Sequence, residues 1–215
     1  MSDFLRRWHR DDADALAGIY VRADSDLLNN IPDDQSLAGA QAWLDEIWTA
    51  EEDGSAVAFA IVQEDSNSDT DRTAGRYMSE EAARVSTPVG NVMATAIDRR
   101  HSTAWISYWL DSNARGQGLA AAGLRSIVDH LHEALAVYRL ELGYRVNNPA
   151  SAAVAKSAGF IVEGRQRERL SYDGVRYDTE ECARLVGDPR PQRRRLPILA
   201  SETTSPDDGG GSESR

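Results

Sequence analysis

The sequence predicts an α/β fold of the α+β kind: a mixed, mostly antiparallel central sheet of about six or seven strands flanked by about four helices. Three observations carry this. The strand-like segments "PVGNVMATAID" and "STAWISYWLD" are separated only by the polar "RRH", which makes them consecutive antiparallel neighbours. A long helical period after Gly118, followed by the alternating "VYRLELGYRV", supplies one clear parallel crossover. Asp173-Gly174, between two further strand-like segments, is a strong hairpin signal.

The elements follow in order. "DDADALAGIYVRA" places Ala15, Leu16, Ile19 and Tyr20 at helical spacing behind an Asp cap. A polar loop, "DSDLLNNIPDD", leads to a second helix from Ser36, with Leu37, Ala40, Trp43, Leu44 and Ile47 on one face. Gly54 ends that region, and "SAVAFAIVQE" reads as a buried strand. Residues 64–87 lack any sustained period and are rich in Ser, Thr and Asp, the composition of an enlarged, disordered loop. After the antiparallel pair, Ala120, Leu124, Ile127, Val128, Leu131 and Leu135 mark the buried face of a long helix. Tyr138, Leu140, Leu142 and Tyr144 alternate as in a strand. "NNPASAAVAKSAGF" is a short helix with Asn148 as cap, Pro149 in the first turn and Gly159 as terminator. Phe160 opens another strand, and the Asp173-Gly174 hairpin closes the sheet.

A chain of 215 residues suits one domain with an adequate core, here residues 1–187. From Gly187 onward Pro, Arg, Ser, Asp and Gly dominate, so residues 188–215 are expected to form a flexible tail. The net charge of −11 argues against a direct nucleic-acid binder, because phosphate backbones need a basic face. Cys182 is the only cysteine, which excludes an intramolecular disulfide and a cysteine metal cluster; it fits a small buried apolar position. No apolar run approaches the roughly 20 residues of a membrane span, and "MSDFLRRWHRDD" has no signal-peptide core. A cytoplasmic protein without a membrane partner is expected. His9, His101, His130 and His132 show no convincing ligand spacing, so no metal is expected and all four are assigned to the surface.

The segment "NARGQGLAAAGLRS" fits two phosphate-binding patterns. Gly116, Gly118 and Ala121 match the dinucleotide fingerprint, while Arg115, Gly118 and Ala120 match the shorter acyl-CoA pattern Q/R-x-x-G-x-G/A. A dinucleotide site needs a parallel βαβ unit with an acidic residue roughly 20 positions on. Glu141 nearly meets that spacing, but the strands before Arg115 are antiparallel and a second mononucleotide half is missing. The acyl-CoA pattern needs only a strand end, a turn and a helix start whose N–H groups and dipole cradle a pyrophosphate.

The ordered set "YWLDSNARGQGLA", "NNPASAAVAKSAGF" and "YDGVRYD", preceded by "LRRWHRDDADAL", resembles the GNAT acetyltransferase superfamily, in its ribosomal-protein N-acetyltransferase (Rim-type) branch. The resemblance covers roughly residues 4 to 186. It implies the acyl-CoA N-acyltransferase fold and transfer of an acetyl group from acetyl-CoA to a primary amine, by direct attack through a tetrahedral intermediate. By position, Tyr108, Trp109 and Leu110 would give backbone hydrogen bonds to the pantetheine arm and the thioester carbonyl, with the Trp109 indole serving as packing. Arg115, Gly116, Gln117, Gly118, Leu119 and Ala120 would form the pyrophosphate cradle. Asn148 matches an asparagine that contacts the pantetheine amide, and is equally a helix cap. Ser151 matches a serine that in some members protonates the departing thiolate, and is equally a solvent-facing helix serine.

The sequence departs from the family pattern at one point. Some members carry a glutamate three residues before the turn Asn/Asp-Gly, where this chain has Leu170. Glu168, two positions earlier and by alternation on the same face, is the substitute candidate for the base. The resemblance also places "DSDLLNNIPDD" and the final hairpin around the acceptor, so Asp24, Asp26, Asp33 and Asp34 would favour a cationic amine: a protein or peptide N-terminus or a small molecule. A homodimer is compatible with the resemblance. Two other classes remain beside the transferase: an acetyl-CoA-binding interaction domain with little catalysis, and an NAD-binding enzyme.

Overall fold

The computed structural model describes residues 3–28, 30–63 and 86–199, with the side chain of Asp26 excepted. The expected loop over 64–87 falls outside the described residues except for its last two positions, and so does the end of the chain from Ala200.

The strands are β1 (Phe4–Arg6), β2 (Val57–Val62), β3 (Pro88–Asp98), β4 (Thr103–Leu110), β5 (Arg139–Arg145), β6 (Ile161–Tyr172) and β7 (Val175–Leu185). They form one sheet in the order β1-β2-β3-β4-β5-β7-β6. Every pairing is antiparallel except β4 with β5. The helices are α1 (Ala13–Val21), α2 (Ser25–Leu28), α3 (Leu37–Glu52), α4 (Leu119–Glu133) and α5 (Pro149–Ser157). With a single parallel pair, the sheet is not the doubly wound parallel sheet that a dinucleotide fold requires.

Two apolar layers enclose the sheet. Along β2, Val57, Phe59 and Ile61 join the core under α4, while Ala58, Ala60 and Val62 join the core under α1 and α3. That is the period-2 alternation of a strand buried on both faces, and it explains why "VAFAIV" reads as a continuous apolar run. On one side Leu119, Leu124, Ile127, Val128 and Leu131 of α4 meet Leu140 and Leu142. On the other, Trp8, Leu16, Ile19, Tyr20, Leu44 and Ile47 gather around Trp109. Cys182 is buried in the first layer. No helix among the described residues is long and apolar enough to cross a membrane.

Several expectations are corrected. The segment "FLR", which carries no sequence expectation, is a strand too short to show a period of its own. "DSDLLNNIPDD" holds the short helix α2, nucleated by Asp24, whose Oδ1 accepts the Leu27 N–H at 3.0 Å. Leu135 and Tyr138 are exposed because α4 stops at Glu133 and β5 starts at Arg139; Val137 is buried between them instead. Half-buried His130 stacks edge-on against Phe59 and half-buried His132 sets Nδ1 2.8 Å from the Val137 carbonyl, so neither is a plain surface histidine.

The tail expectation fails over residues 188–199. Leu196 is buried, and its N–H and carbonyl both bond the Ser126 hydroxyl, at 2.8 and 2.7 Å. Leu5 donates to the Pro197 carbonyl and accepts from the Leu199 N–H, so the segment extends the sheet beyond β1. Arg190 and Arg195 both bind Asp129, and Arg194 binds Asp3. Composition missed this because one buried leucine and a few arginines with carboxylate partners hold a polar segment that forms no element of its own. Accordingly, Leu196→Ala should cost about 2–5 kcal/mol in urea unfolding, the usual loss for a buried leucine. Truncation at Asp188 should lower Tm further, because it also uncovers the β1 edge.

Candidate active site

The parallel ladder between β4 and β5 has only three partners: Thr103↔Arg139, Ala104↔Leu140 and Trp105↔Glu141. Beyond them both strands continue, β4 to Leu110 against β3 and β5 to Arg145 against β7, but they no longer pair with each other. A wedge therefore opens in the middle of the sheet.

Ladder alternation tells which backbone groups face this wedge. Asp111 donates to the Val89 carbonyl at 2.9 Å, and antiparallel partners alternate between bonded and non-bonded pairs. Trp109 thus pairs with Asn91 of β3, whereas the N–H and carbonyl groups of Tyr108 and Leu110 point into the wedge. On the opposite strand Tyr138 and Val146 bond β7 and its flanks, which turns the backbone of Gly143 and Arg145 toward the wedge. The backbone of Tyr108 and Leu110 is thus turned toward the wedge. Trp109 is corrected: its backbone is spent on β3, and its buried indole packs 6.3 Å from that of Trp8.

At the wide end of the wedge lies the start of α4. Asp111 caps the 3-10 turn Ser112–Ala114 by accepting the Asn113 N–H. The chain then reaches Gly118, the N-cap of α4, which has no side chain to cap the first turn. Gly116 and Gly118 have φ of +79° and +76°, conformations that favour glycine, and nothing lies within 4 Å of where a Cβ would stand. The helix start therefore presents N–H groups without a side-chain cap beneath open space, with the positive end of the helix dipole, an arrangement able to receive an anion.

Not all of the expected cradle takes part equally. The Arg115 N–H closes the 3-10 turn on the Ser112 carbonyl, and its guanidinium grips Asp24 in a two-pronged ion pair at 2.6 and 2.9 Å. The same guanidinium reaches the Leu110 carbonyl at 3.3 Å. Arg115 thus ties the α1–α2 connection to the end of β4. The Gln117 side chain accepts from Gln63 at the end of β2, leaving its backbone to the cradle. Leu119 is buried as an anchor of the helix, and Ala120 is small enough to keep the first turn open.

On the other flank, α5 begins where β5 ends. The Asn148 side chain accepts the Ser151 N–H at 3.0 Å, so the cap reading is realised and the amide NH₂ stays available for a ligand. Tyr108 donates its hydroxyl to the Ser151 carbonyl at 3.2 Å, bridging β4 to the first turn of α5 across the wedge. Burial pushes the Tyr108 phenol up to about 12, so it stays neutral and the bridge stays closed at ordinary pH. Tyr108, Asn148 and Ser151 are thereby brought together. The side-chain role of Tyr108 escaped sequence reasoning, which had used only its backbone.

Glu168 is not brought to this group. A bulge between Gln166 and Leu170 breaks the alternation that aligned it with Leu170, and Glu168 itself has φ +54°. It sits exposed on the edge strand, its N–H bonded to Asp178 and its carbonyl to Arg176.

The acidic loop is also revised. Asp24 is neutralised by Arg115, whose hydrogen bonds hold its carboxyl below the ordinary range, helped by the Leu27 N–H. Asp34 accepts from the Ser36 N–H and caps the approach to α3. Asp111 is a buried carboxylate that sequence reasoning overlooked. Burial raises its pKa, but the Arg22 hydrogen bond at 2.7 Å and the Asn113 N–H outweigh this and keep it below the usual range. Arg22 and Arg115 thus pin the α1–α2 segment to the β4 terminus from two sides.

The profile of the acetyltransferase (GNAT) domain matches residues 4–161. The chain is 36% identical over 91 residues to the ribosomal-protein-serine acetyltransferase of Escherichia coli (strain K12), an alignment that spans 40% of this chain and 51% of that protein. It thus covers about half the length of that relative. Among solved structures, the ribosomal-protein-S5-alanine acetyltransferase of Vibrio fischeri superposes with a TM-score of 0.70 at 20% identity, over 87% of this chain and 94% of the other. The ribosomal L7/L12 α-N-protein acetyltransferase RimL, in complex with coenzyme A, gives 0.67 at 22% identity over 84% and 92%. At these identities the structures speak for the fold, and together with the domain match over most of the chain they establish that this protein belongs to the GNAT acetyltransferase family.

Proposed function

We propose that the chain transfers the acetyl group of acetyl-CoA to a primary amine, a polypeptide N-terminus or a small amine, in the cytoplasm. The observation that carries this reading is the wedge between β4 and β5 lying beside the uncapped, glycine-lined start of α4. The wedge suits a narrow arm carrying amides, and the helix start suits the phosphates at its end. The acetyltransferase names of the relatives and neighbours support the same reading.

The roles follow from direction and chemistry. The N–H groups of Gly116, Gln117, Gly118, Leu119 and Ala120 would hold the pyrophosphate. The wedge-facing backbone of Tyr108 and Leu110 would bind the pantetheine amides, and an N–H aimed at the thioester carbonyl would stabilise negative charge on its oxygen as the amine attacks. Asn148 would add its free amide NH₂. Ser151 would hand a proton to the departing sulfur, while Tyr108 holds the turn that carries it. An acetyl-CoA-binding interaction domain is the second reading, favoured by Leu170 at the position where some family members carry a glutamate.

Calorimetry should show binding of acetyl-CoA and CoA but not NAD. An acceptor screen by mass spectrometry, including peptides with free N-termini, then separates transfer from binding alone: thiol release without an acetylated amine would defeat the transferase reading. Gly118→Ala should weaken acetyl-CoA binding by about tenfold or more, because the free turn relaxes away from a positive φ that costs alanine about 1–2 kcal/mol and must return to it on binding, and because its methyl enters the cradle. Ser151→Ala should lower kcat by about tenfold at unchanged acetyl-CoA affinity, a modest loss because a thiol with pKa near 8.5 is a tolerable leaving group. A matching loss of affinity would make Ser151 a binding residue.

A further inference from the structure

We propose that Glu181 is the base that accepts the proton of the attacking amine, an assignment that rests on the acetyl-transfer reading above. Trp105↔Glu141 is the last parallel pair, so the next position on the same face is Ser107 on β4 and Gly143 on β5. This is the first row in which the wedge is open. Across β5, Gly143 is paired with Glu181 of β7, and Glu181 with Gly164 of β6. The row therefore reads Ser107, wedge, Gly143, Glu181, Gly164.

Paired residues share a face, and this row lies on the face opposite Leu142, Tyr144 and Cys182, which pack toward α4 and α5. It is the face that α1 and α3 cover over β1 to β4, with α2 in the connection between them. On it the Glu181 carboxylate extends over Gly143: a Cβ built there would lie 3.1 Å from both Oε1 and Oε2. At Gly164 nothing lies within 4 Å of a built Cβ. Two glycines thus clear the row around one half-buried carboxylate, and the cleared side leads to the strand whose backbone faces the wedge.

The neighbouring charged groups of the row are engaged elsewhere. Glu141 and Glu163, on β5 and β6, share Arg139 at 2.6 and 2.5 Å. Arg145, the next residue on this face of β5, stacks over Tyr172 and Tyr177. Glu180 lies on the other face and accepts from the Tyr144 hydroxyl at 2.8 Å. From β4 the row meets Trp105 and Ser107, which carry no charge. Glu181 accepts the Thr179 hydroxyl at 3.2 Å, which orients the carboxylate and leaves its second oxygen for a substrate proton.

The step balances. The ammonium of the acceptor gives one proton to Glu181, directly or through one water, and its lone pair forms the C–N bond at the thioester carbon. When the C–S bond breaks, Ser151 delivers its hydroxyl proton to the thiolate and is reprotonated through solvent by the second proton leaving nitrogen, while the proton first taken by Glu181 passes to solvent. The products are the N-acetyl amine and CoA thiol.

The test uses the full chain and a peptide with an unblocked N-terminal serine, with spermidine as a second probe amine. Glu181→Gln should lower kcat/KM for the peptide by about 10²-fold at pH 7, with acetyl-CoA affinity by calorimetry unchanged within about twofold. Raising the pH past the amine's own value near 8 should shrink the deficit to about tenfold or less, because neutral amine then arrives without help. Glu180→Gln, on the same strand but the other face, should behave as wild type. Wild-type rates in Glu181→Gln, a deficit that does not change with pH, a parallel loss of acetyl-CoA affinity, or the same loss appearing in Glu168→Gln would each overturn the assignment. Failure of the wild-type chain to acetylate either probe would instead remove the transfer reading beneath it.

Discussion

The structure depends on where one ladder stops. Among the described strands β1 to β7, β4 and β5 alone pair in parallel, and their pairing ends at Trp105↔Glu141 while each strand continues against its other neighbour. Unpaired backbone inside a sheet carries a cost, since each N–H and carbonyl wants a partner. Here the wedge is kept open from outside. Tyr108 and Ser151 bridge it on one face, Arg115 holds the carbonyl of Leu110 at its mouth, and the antiparallel strands β3 and β7 hold each edge in register. On the proposed reading, the wedge-facing groups left unpaired would meet a ligand with amides of its own.

Everything else around the site is arranged by charge and by missing side chains. Arginines tie separate elements together: Arg22 and Arg115 dock the α1–α2 segment on the end of β4, each against one aspartate. The second pair neutralises Asp24, one of the four loop aspartates that the sequence offered to a cationic substrate. Glycines do the opposite and clear space, Gly116 and Gly118 over the helix start and Gly143 and Gly164 on either side of Glu181. In the proposed reaction the phosphate end and the amine end would lie on different glycines, with the wedge between them.

Much of this was legible in the sequence, for identifiable reasons. Asp173-Gly174 forms its turn with both residues at positive φ, as the dipeptide demands. Ser36 and Asn148 cap α3 and α5 through their side chains, and their residue types announced it. The glycine segment was placed correctly because glycine at a helix start is a local signal. What failed was what depends on pairing partners. The ladder parity that removes the Trp109 backbone from the site is invisible without β3. The bulge that displaces Glu168 defeats a count by twos. Glu181 reads as one more acid in "YDTEECARL" until Gly143 is found opposite. The segment over residues 188–199 packs because of Asp129, Ser126 and Leu5, all distant in the chain.

The most direct test of the wedge is residue-resolved amide NMR during titration with CoA. The account predicts large shifts or slowed exchange at the amides of Tyr108, Leu110, Gly143 and residues 116–120, with Ser107 and Trp109, whose amides bond β3, much less affected. Perturbation centred on Ser107 and Trp109, or confined to α1 and α3, would contradict it.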